Sequence, residues 1–258
     1  MMKREQQDFI HTLWDELADF DAAHADEALT CLMERLCTLV GAWNVTWLGS
    51  VRMDTSFPGD PVKGWRAPLV RFLHPSVQLD DVVREQIDQL EEGIVDVTTI
   101  RNAEGAGVFR ANRLRDLVDE EWFDSPYYRA YYQAVGNSDA IWVIFPINED
   151  AESWFGIFRS LESPPFTETE RDVIAYALRG IKWFHRQLML SHGLLVAVTT
   201  LTPAERRVLH LLLTGLPEKQ IAVEIERSYH TVHQYVITIF RKFGVNNRAA
   251  LMALWLGQ

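Results

Sequence analysis

The sequence predicts an α+β amino-terminal domain, built on a mainly antiparallel sheet with flanking helices, followed by a small all-α domain. Three observations predict it. Over residues 1–192 the patterns run helices, strands, helices, a hairpin and a long helix, without the strand–helix alternation of a parallel sheet. From Leu201 onward only short capped helical patterns occur. Charge divides at the same place: residues 201–258 hold seven Lys/Arg against four acids, while the preceding 200 hold 18 against 32. Within a net −11, a segment of +3 thus follows a body of −14, and only the former is suited to approach a polyanion.

The elements follow in order. Phe9, Leu13, Leu17 and Phe20 recur at helical spacing, as do Leu29, Leu32, Met33, Leu36 and Val40, with Gly41 as a stop. "WNVTWLGSVRM" (43–53) and "WRAPLVRFL" (65–73) read as strands, separated by the turn-rich "DTSFPGDP". A polar helix is expected at 78–92, ended by Gly93, whereas 94–120 is ambiguous. In "SPYYRAYYQAVG" (125–136), Ser125 serves as N-cap, Pro126 as first helical residue and Gly136 as stop. "DAIWVIFPI" and "SWFGIFRSL" form a hairpin across "NEDAE" (148–152). Thr167 and Glu170 make a capping box, and the helix they start is expected to run unbroken to His192. The apolar "GLLVAVTT" (193–200) reads as a packed linker, since a freely swinging one would be polar.

Composition excludes several classes. Apolar runs such as "IWVIF" (141–145) are too short to cross a bilayer, and "MMKREQQDF" lacks the apolar stretch of a signal peptide. Cys31 and Cys37 fit neither a disulfide framework nor a zinc site. No HExxH, GxSxG, GxxxxGK[ST] or GxGxxG occurs, so no catalysis, metal or cofactor is expected, and a cytoplasmic location is.

In the last segment Thr202, Pro203 and Glu205 start a helix whose apolar face is Val208, Leu209, Leu212 and Leu213, and Gly215 stops it. A second short helix carries Ile221, Ala222 and Ile225 inward. After a turn at Glu226–Arg227, Ser228 caps a third. Val232, Val236, Ile239, Phe240 and Phe243 make one stripe of this third helix, leaving His230, His233, Gln234, Ile237, Thr238 and Arg241 on the opposite side. Two short helices joined by a tight turn, the second apolar on one side and polar on the other, suit a helix-turn-helix in a major groove.

This segment resembles the DNA-binding domain of the LuxR family of bacterial transcription regulators. Leu201, Thr202, Glu205, Val208, Leu209, Gly215, Leu216, Lys219, Ile221, Ala222, Ser228, Thr231, Val232, Ile239, Lys242, Gly244, Val245 and Arg248 match the family pattern. The resemblance implies base contacts from His233, Gln234 and Ile237 and phosphate contacts from Lys219, Thr231, Arg241 and Lys242. It further implies a double-stranded operator and RNA polymerase as partners. His233 and Ile237 stand where the family often carries cations and Tyr235 where it carries His, so fewer counterions are released and the salt dependence is shallower.

Such regulators place a sensor before the reader. The Trp…Tyr…Asp-Pro…Trp set of acyl-homoserine-lactone receptors is absent: no Tyr precedes Tyr127, and Asp54 is followed by Thr. A receiver-domain pattern is absent too. "PPFTETERDVIAYALRGIKWFHRQL" (164–188) resembles the helix that closes GAF/PAS-like sensor domains. Aromatic residues crowd 122–158, and Trp65, Tyr127, Tyr131, Trp142 and Trp154 are candidates to line a small-molecule pocket, the alternative being an aromatic core. On the 167–192 helix, Val173, Ala177, Ile181, Phe184 and Leu188 form one apolar face, with Ile174, Leu178 and Trp183 partly off it. This excess of apolar surface, together with Leu251, Leu254 and Trp255, predicts a homodimer. The expected whole is a dimeric regulator modulated by a small molecule. Its alternative is a ligand-independent regulator whose first domain only dimerises or docks on a protein.

Overall fold

The computed structural model describes residues 2–53, 58–195 and 201–255. Helices α1 (Arg4–Ala18) and α2 (Ala25–Val40) lead into strands β1 (Asn44–Arg52) and β2 (Trp65–Phe72). Helices α3 (Val77–Glu91) and α4 (Val97–Glu104), strand β3 (Arg110–Arg113), and helices α5 (Leu114–Leu117) and α6 (Pro126–Tyr131) follow. The hairpin β4 (Asn137–Asn148) and β5 (Ala151–Ser160) precedes α7 (Glu168–Arg179) and α8 (Lys182–Ser191). The last segment forms α9 (Pro203–Leu213), α10 (Glu218–Glu224), α11 (Tyr229–Lys242) and α12 (Arg248–Trp255). Two compact units result: Met1–Leu13 with Thr30–Lys182, and Trp14–Leu29 with Trp183–Gln258.

The first unit is an α+β layer on a five-stranded antiparallel sheet ordered β2-β1-β5-β4-β3. Alternation along the strands buries Val45, Trp47, Val143, Phe155 and Ile157 on one face. On the other, Trp142 lies opposite Gly156 in the β4–β5 register. A Cβ at Gly156 would stand 2.7 Å from the Trp142 ring and 2.9 Å from Thr46 Cγ2, so only glycine lets the indole lie across the central strand. On α1 the buried residues are Ile10, Leu13 and Leu17, with Phe9 only half-buried, as is Phe20 just past its end. The ambiguous stretch resolves into α4, β3 and α5.

Three sequence expectations need correction. The hairpin loop is only Glu149–Asp150, closed by the Asn148 side chain accepting from Asp150 N at 2.9 Å, so Ala151 and Glu152 lie in β5 rather than in the turn. Glu152 is 0% exposed. Arg110 donates to it bidentately at 2.9 Å and 2.9 Å, Gly107 N at 2.9 Å and Trp154 Nε1 at 3.0 Å. Secondly, the long helix breaks: α7 is capped at Gly180, whose N–H bonds back to Tyr176 and Leu178, and α8 starts at Lys182. Glycine favours this stop because it is the weakest ordinary helix former. Thirdly, Val173, Ile174, Ala177, Leu178, Ile181, Phe184 and Leu188 are all buried within the chain itself. Most of the expected apolar surface is therefore buried already, and Trp183, at 41% exposure, is what remains of it. Leu251 likewise belongs to the core of the second unit, with Leu254 and Trp255 packed against it. The expected linker falls largely on 196–200, outside the described residues.

The core of the second unit is the one the apolar periodicity specifies: Val208, Leu209 and Leu212 of α9, Ile221 and Ala222 of α10, Val232, Val236 and Ile239 of α11, and Phe243. In the same unit His192 is buried, with Nδ1 2.9 Å from Leu188 O and Nε2 3.2 Å from Asp26 Oδ1, and Arg206 Nη2 approaches the other Asp26 oxygen at 3.9 Å. Burial pulls the pKa of His192 and of His210 below the ordinary 6.5, the Asp26 charge opposing it and Arg206 reinforcing it.

Two outcomes follow from these buried groups. Arg110→Ala leaves Glu152 charged and unneutralised inside the sheet, a loss of about 3–5 kcal/mol measurable by urea denaturation. Replacing both partners by apolar residues should cost less than Arg110→Ala alone. Because His192 and His210 are held neutral, the unfolded chain binds more protons as pH falls below about 6.5. Stability of the second unit is therefore full above that pH and declines towards pH 5, and His210→Gln should flatten the decline.

Candidate nucleic-acid interface and ligand cavity

Helix α11 begins at Ser228, whose Oγ accepts from Thr231 N at 3.1 Å, after a turn in which Glu226 takes a left-handed φ of 54°. The apolar stripe turns inward, leaving His230, Gln234, Ile237 and Arg241 exposed, with His233 and Thr231 half-exposed. Ile237 is 45% exposed on a helix whose other branched aliphatics are in the core, so it stands among the polar residues of the outer face. His233 Nδ1 lies 2.9 Å from Glu218 Oε2, and the ring stacks on Tyr229 at 6.0 Å with planes 13° apart. The proposed base-contact residues therefore share one outer face, and the Glu218 contact orients one of them.

The four proposed phosphate contacts divide. Lys219 and Arg241 are exposed, and Thr231 sits in the first turn of α11, where backbone N–H groups favour anions. Lys242 is placed differently. Its side chain is 15% exposed, and the ammonium donates to Glu205 Oε2 at 2.7 Å. The same Glu205 oxygen accepts from Thr202 N at 2.8 Å in the capping box of α9. Lys242 thus joins the end of α11 to the start of α9. Arg248 is also internal, donating to Leu216 O at 2.8 Å and to Leu212 O at the end of α9. Sequence reading passed over Arg227 and Tyr229, both exposed beside the start of α11. The four-residue spacing of Tyr229 and His233 was the available signal.

In the first unit a cavity of about 210 Å³ lies between the sheet and helices α3 and α4. Trp65, Tyr127, Trp142 and Trp154 line it. Tyr131 does not; it is buried in the neighbouring aromatic cluster with Tyr128. Its hydroxyl donates to Glu85 Oε1 at 2.6 Å and accepts from Gln89 Nε2 at 2.7 Å, fastening α3 from behind. Tyr132, one of the crowded aromatic residues of 122–158 and the C-cap of α6, stands on the wall. Gln86 Nε2 donates to the Tyr127 hydroxyl at 2.7 Å, a second tie to α3. Asp96 caps α4 and lies on the wall: Oδ1 accepts from Thr98 N at 2.8 Å and Oγ1 at 2.6 Å, and Oδ2 from Trp122 Nε1 at 3.1 Å. Burial raises the pKa of the Tyr127 and Tyr132 phenols far beyond physiological pH, and Asp96 adds to the effect. Both remain neutral donors.

Comparison with known proteins fits this geometry. Residues 199–255 match the family described as bacterial regulatory proteins, luxR family. A probable HTH-type transcriptional regulator, GfsR of Streptomyces halstedii, is 39% identical over 57 residues, covering 22% of this chain and 24% of that protein. Response regulator Rre1 of Synechocystis is 41% identical over 51 residues, covering 20% and 22%. The chain thus matches about a quarter of the length of these curated relatives. A structure of SdiA in complex with octanoyl-rac-glycerol aligns over 98% of this chain and 95% of its own, with a TM-score of 0.52 and 12% identity. That likeness is one of fold: a five-stranded antiparallel sheet with helices, then a helical carboxy-terminal region. Among the described residues no helix is long and apolar enough to cross a membrane. The carboxy-terminal segment of this chain, residues 199–255, is a helix-turn-helix domain of the LuxR family of bacterial regulators.

Proposed function

We propose that this protein is a sequence-specific transcriptional regulator that reads a two-fold-symmetric operator as a homodimer, under the control of a small molecule held in the cavity of its first unit. The observation that carries the DNA-reading part is the exposed row His230, Gln234, Ile237 and Arg241 on a helix otherwise anchored in a closed core. Gln pairs with adenine N6 and N7, and an aliphatic side chain meets a thymine methyl. With Lys242 engaged by Glu205, few cations remain for phosphate, which makes one reader a weak binder and favours two acting together. Such a protein works where the chromosome is, in the cytoplasm, as a DNA reader and not as an enzyme. The cavity supports control by linkage, as does the fold shared with SdiA, which has been seen with octanoyl-rac-glycerol. A ligand that prefers one arrangement shifts the population competent to bind DNA.

Selection of duplexes from a random pool by the full-length protein tests the central claim. A palindromic motif is expected; enrichment of no sequence would overturn it. On the selected operator, Gln234→Ala should lose about 1–3 kcal/mol of discrimination at one base pair while holding non-specific affinity. Arg241→Ala should weaken binding to every sequence and reduce the salt slope by about one. Lys242→Ala should leave the salt slope unchanged and lower the urea midpoint instead, because it strands the buried Glu205 carboxylate.

A further inference from the structure

On the outer face of α11 one side chain has its proton placed by a neighbouring helix. Glu218, the first residue of α10, brings Oε2 to 2.9 Å from His233 Nδ1. A carboxylate only accepts, so the imidazole carries a proton on Nδ1 and donates it. Tyr229, one turn earlier on α11, lies alongside the ring at 6.0 Å with planes 13° apart. Among the described residues, the titratable groups that His233 meets are therefore the Glu218 carboxylate of α10 and the Tyr229 phenol of its own helix; α9 forms no ion pair with it. The other ring nitrogen, Nε2, has no hydrogen-bond partner among the described residues and is not buried, and 44% of the side chain is exposed.

An acid beside a DNA-reading helix is electrostatically unfavourable, because it repels the phosphates that the same surface must approach. Glu218 does stand in the first turn of α10, where an acid suits the helix end, but that placement requires no contact with α11. What the contact does is decide which nitrogen faces outward and what it offers. With one proton on the ring, Nε2 is bare and only accepts; with two, Nε2–H only donates. In the major groove the donors are the amino groups of adenine N6 and cytosine N4, whereas guanine presents the acceptors N7 and O6. A ring released from Glu218 can put its single proton on either nitrogen, and so meets both kinds of edge.

We infer that Glu218 is a positioning residue that sets the base read by His233: by holding the Nδ1 proton it presents Nε2 to the groove, where the neutral ring accepts from the amino group of adenine or cytosine and the protonated ring donates to guanine. This rests on the reading of α11 as the DNA-reading helix and adds the chemistry of one of its contacts. The preference at one base pair of each half-site then changes with pH, while Gln234 and Ile237, which do not titrate, keep theirs.

The test uses the full-length protein and the operator selected from random duplexes, at about pH 9 and about pH 6, which straddle the ordinary histidine value. His233→Ala locates the base pair, as the one whose discrimination it abolishes. At that pair the amino group is then deleted, with purine replacing adenine or 2-pyrimidinone replacing cytosine. Each affinity is a ratio between two duplexes on one protein, so the folded fraction cancels, and His233→Ala on the same duplexes corrects for the weaker base pair. At about pH 9 the deletion should weaken wild-type binding about fivefold, the worth of one hydrogen bond. At about pH 6 that loss should vanish and the preference move to guanine. Glu218→Ala should remove the pH dependence and the amino-group effect, whereas Glu218→Gln, whose amide oxygen still accepts from Nδ1, should keep both. An amino-group effect absent from the wild type at about pH 9, or one that survives Glu218→Ala, would overturn the inference and leave α11 as a DNA reader. So would a His233→Ala variant that weakens binding equally on every sequence, the mark of a phosphate contact. Selection of no motif at all would remove the inference and the DNA-reading role together.

Discussion

The first unit depends on one ion pair. Glu152 sits within the central part of the sheet with no exposure, at a position where an alternating strand would ordinarily place an apolar side chain. A carboxylate there is tolerable only because Arg110 reaches it with two parallel hydrogen bonds and because Gly107 and Trp154 satisfy its remaining lone pairs. Arg110 also donates through Nε to Asn102 O at 2.7 Å at the end of α4, and its guanidinium lies 5.3 Å from the centroid of the Trp154 ring. One guanidinium therefore fixes the loop after α4, the β3 edge and a cavity-lining tryptophan relative to β5.

What was legible in the sequence follows the range of each interaction. The capping boxes Thr167–Glu170 and Thr202–Glu205, the cap at Ser125 and the stripe on α11 are set by residues three or four apart, and all appear where spacing places them. The misreadings involve distant partners. Glu152 belongs to a strand because of an arginine 42 residues away, and "NEDAE" carries no trace of it. Lys242 matches the family pattern as a cation, and that pattern carries no trace of its ion pair with Glu205, 37 residues earlier. Gly180 shows the limit of periodicity: the apolar rhythm continues across it while the backbone does not. Of the candidate pocket residues, Tyr131 lies one turn from Tyr127 as the spacing says, with ring centroids 4.5 Å apart, but its hydroxyl is drawn to Glu85 and Gln89 of α3, while Tyr132, just past the end of α6, lines the wall.

The reader separates two jobs that basic residues share in most such domains. Lys242 and Arg248 act inward, closing α9 at its two ends through Glu205 and through the carbonyls of Leu212 and Leu216. Arg241 and Lys219 face outward. Counting cations along the sequence therefore overstates the charge available to a polyanion, and recognition falls more heavily on Gln234, His233 and Ile237. The +3 of the segment measures its composition and not its electrostatic footprint.

Asp96 carries a last consequence. It is at once the N-cap of α4, the acceptor of the Trp122 indole and part of the cavity wall. Any occupant that donated a hydrogen bond to this carboxylate would do so in competition with the first turn of α4 and with Trp122. Filling the cavity and winding that helix are thus coupled through one side chain, and amide exchange at Thr98 would register the arrival of a guest that never touches the backbone.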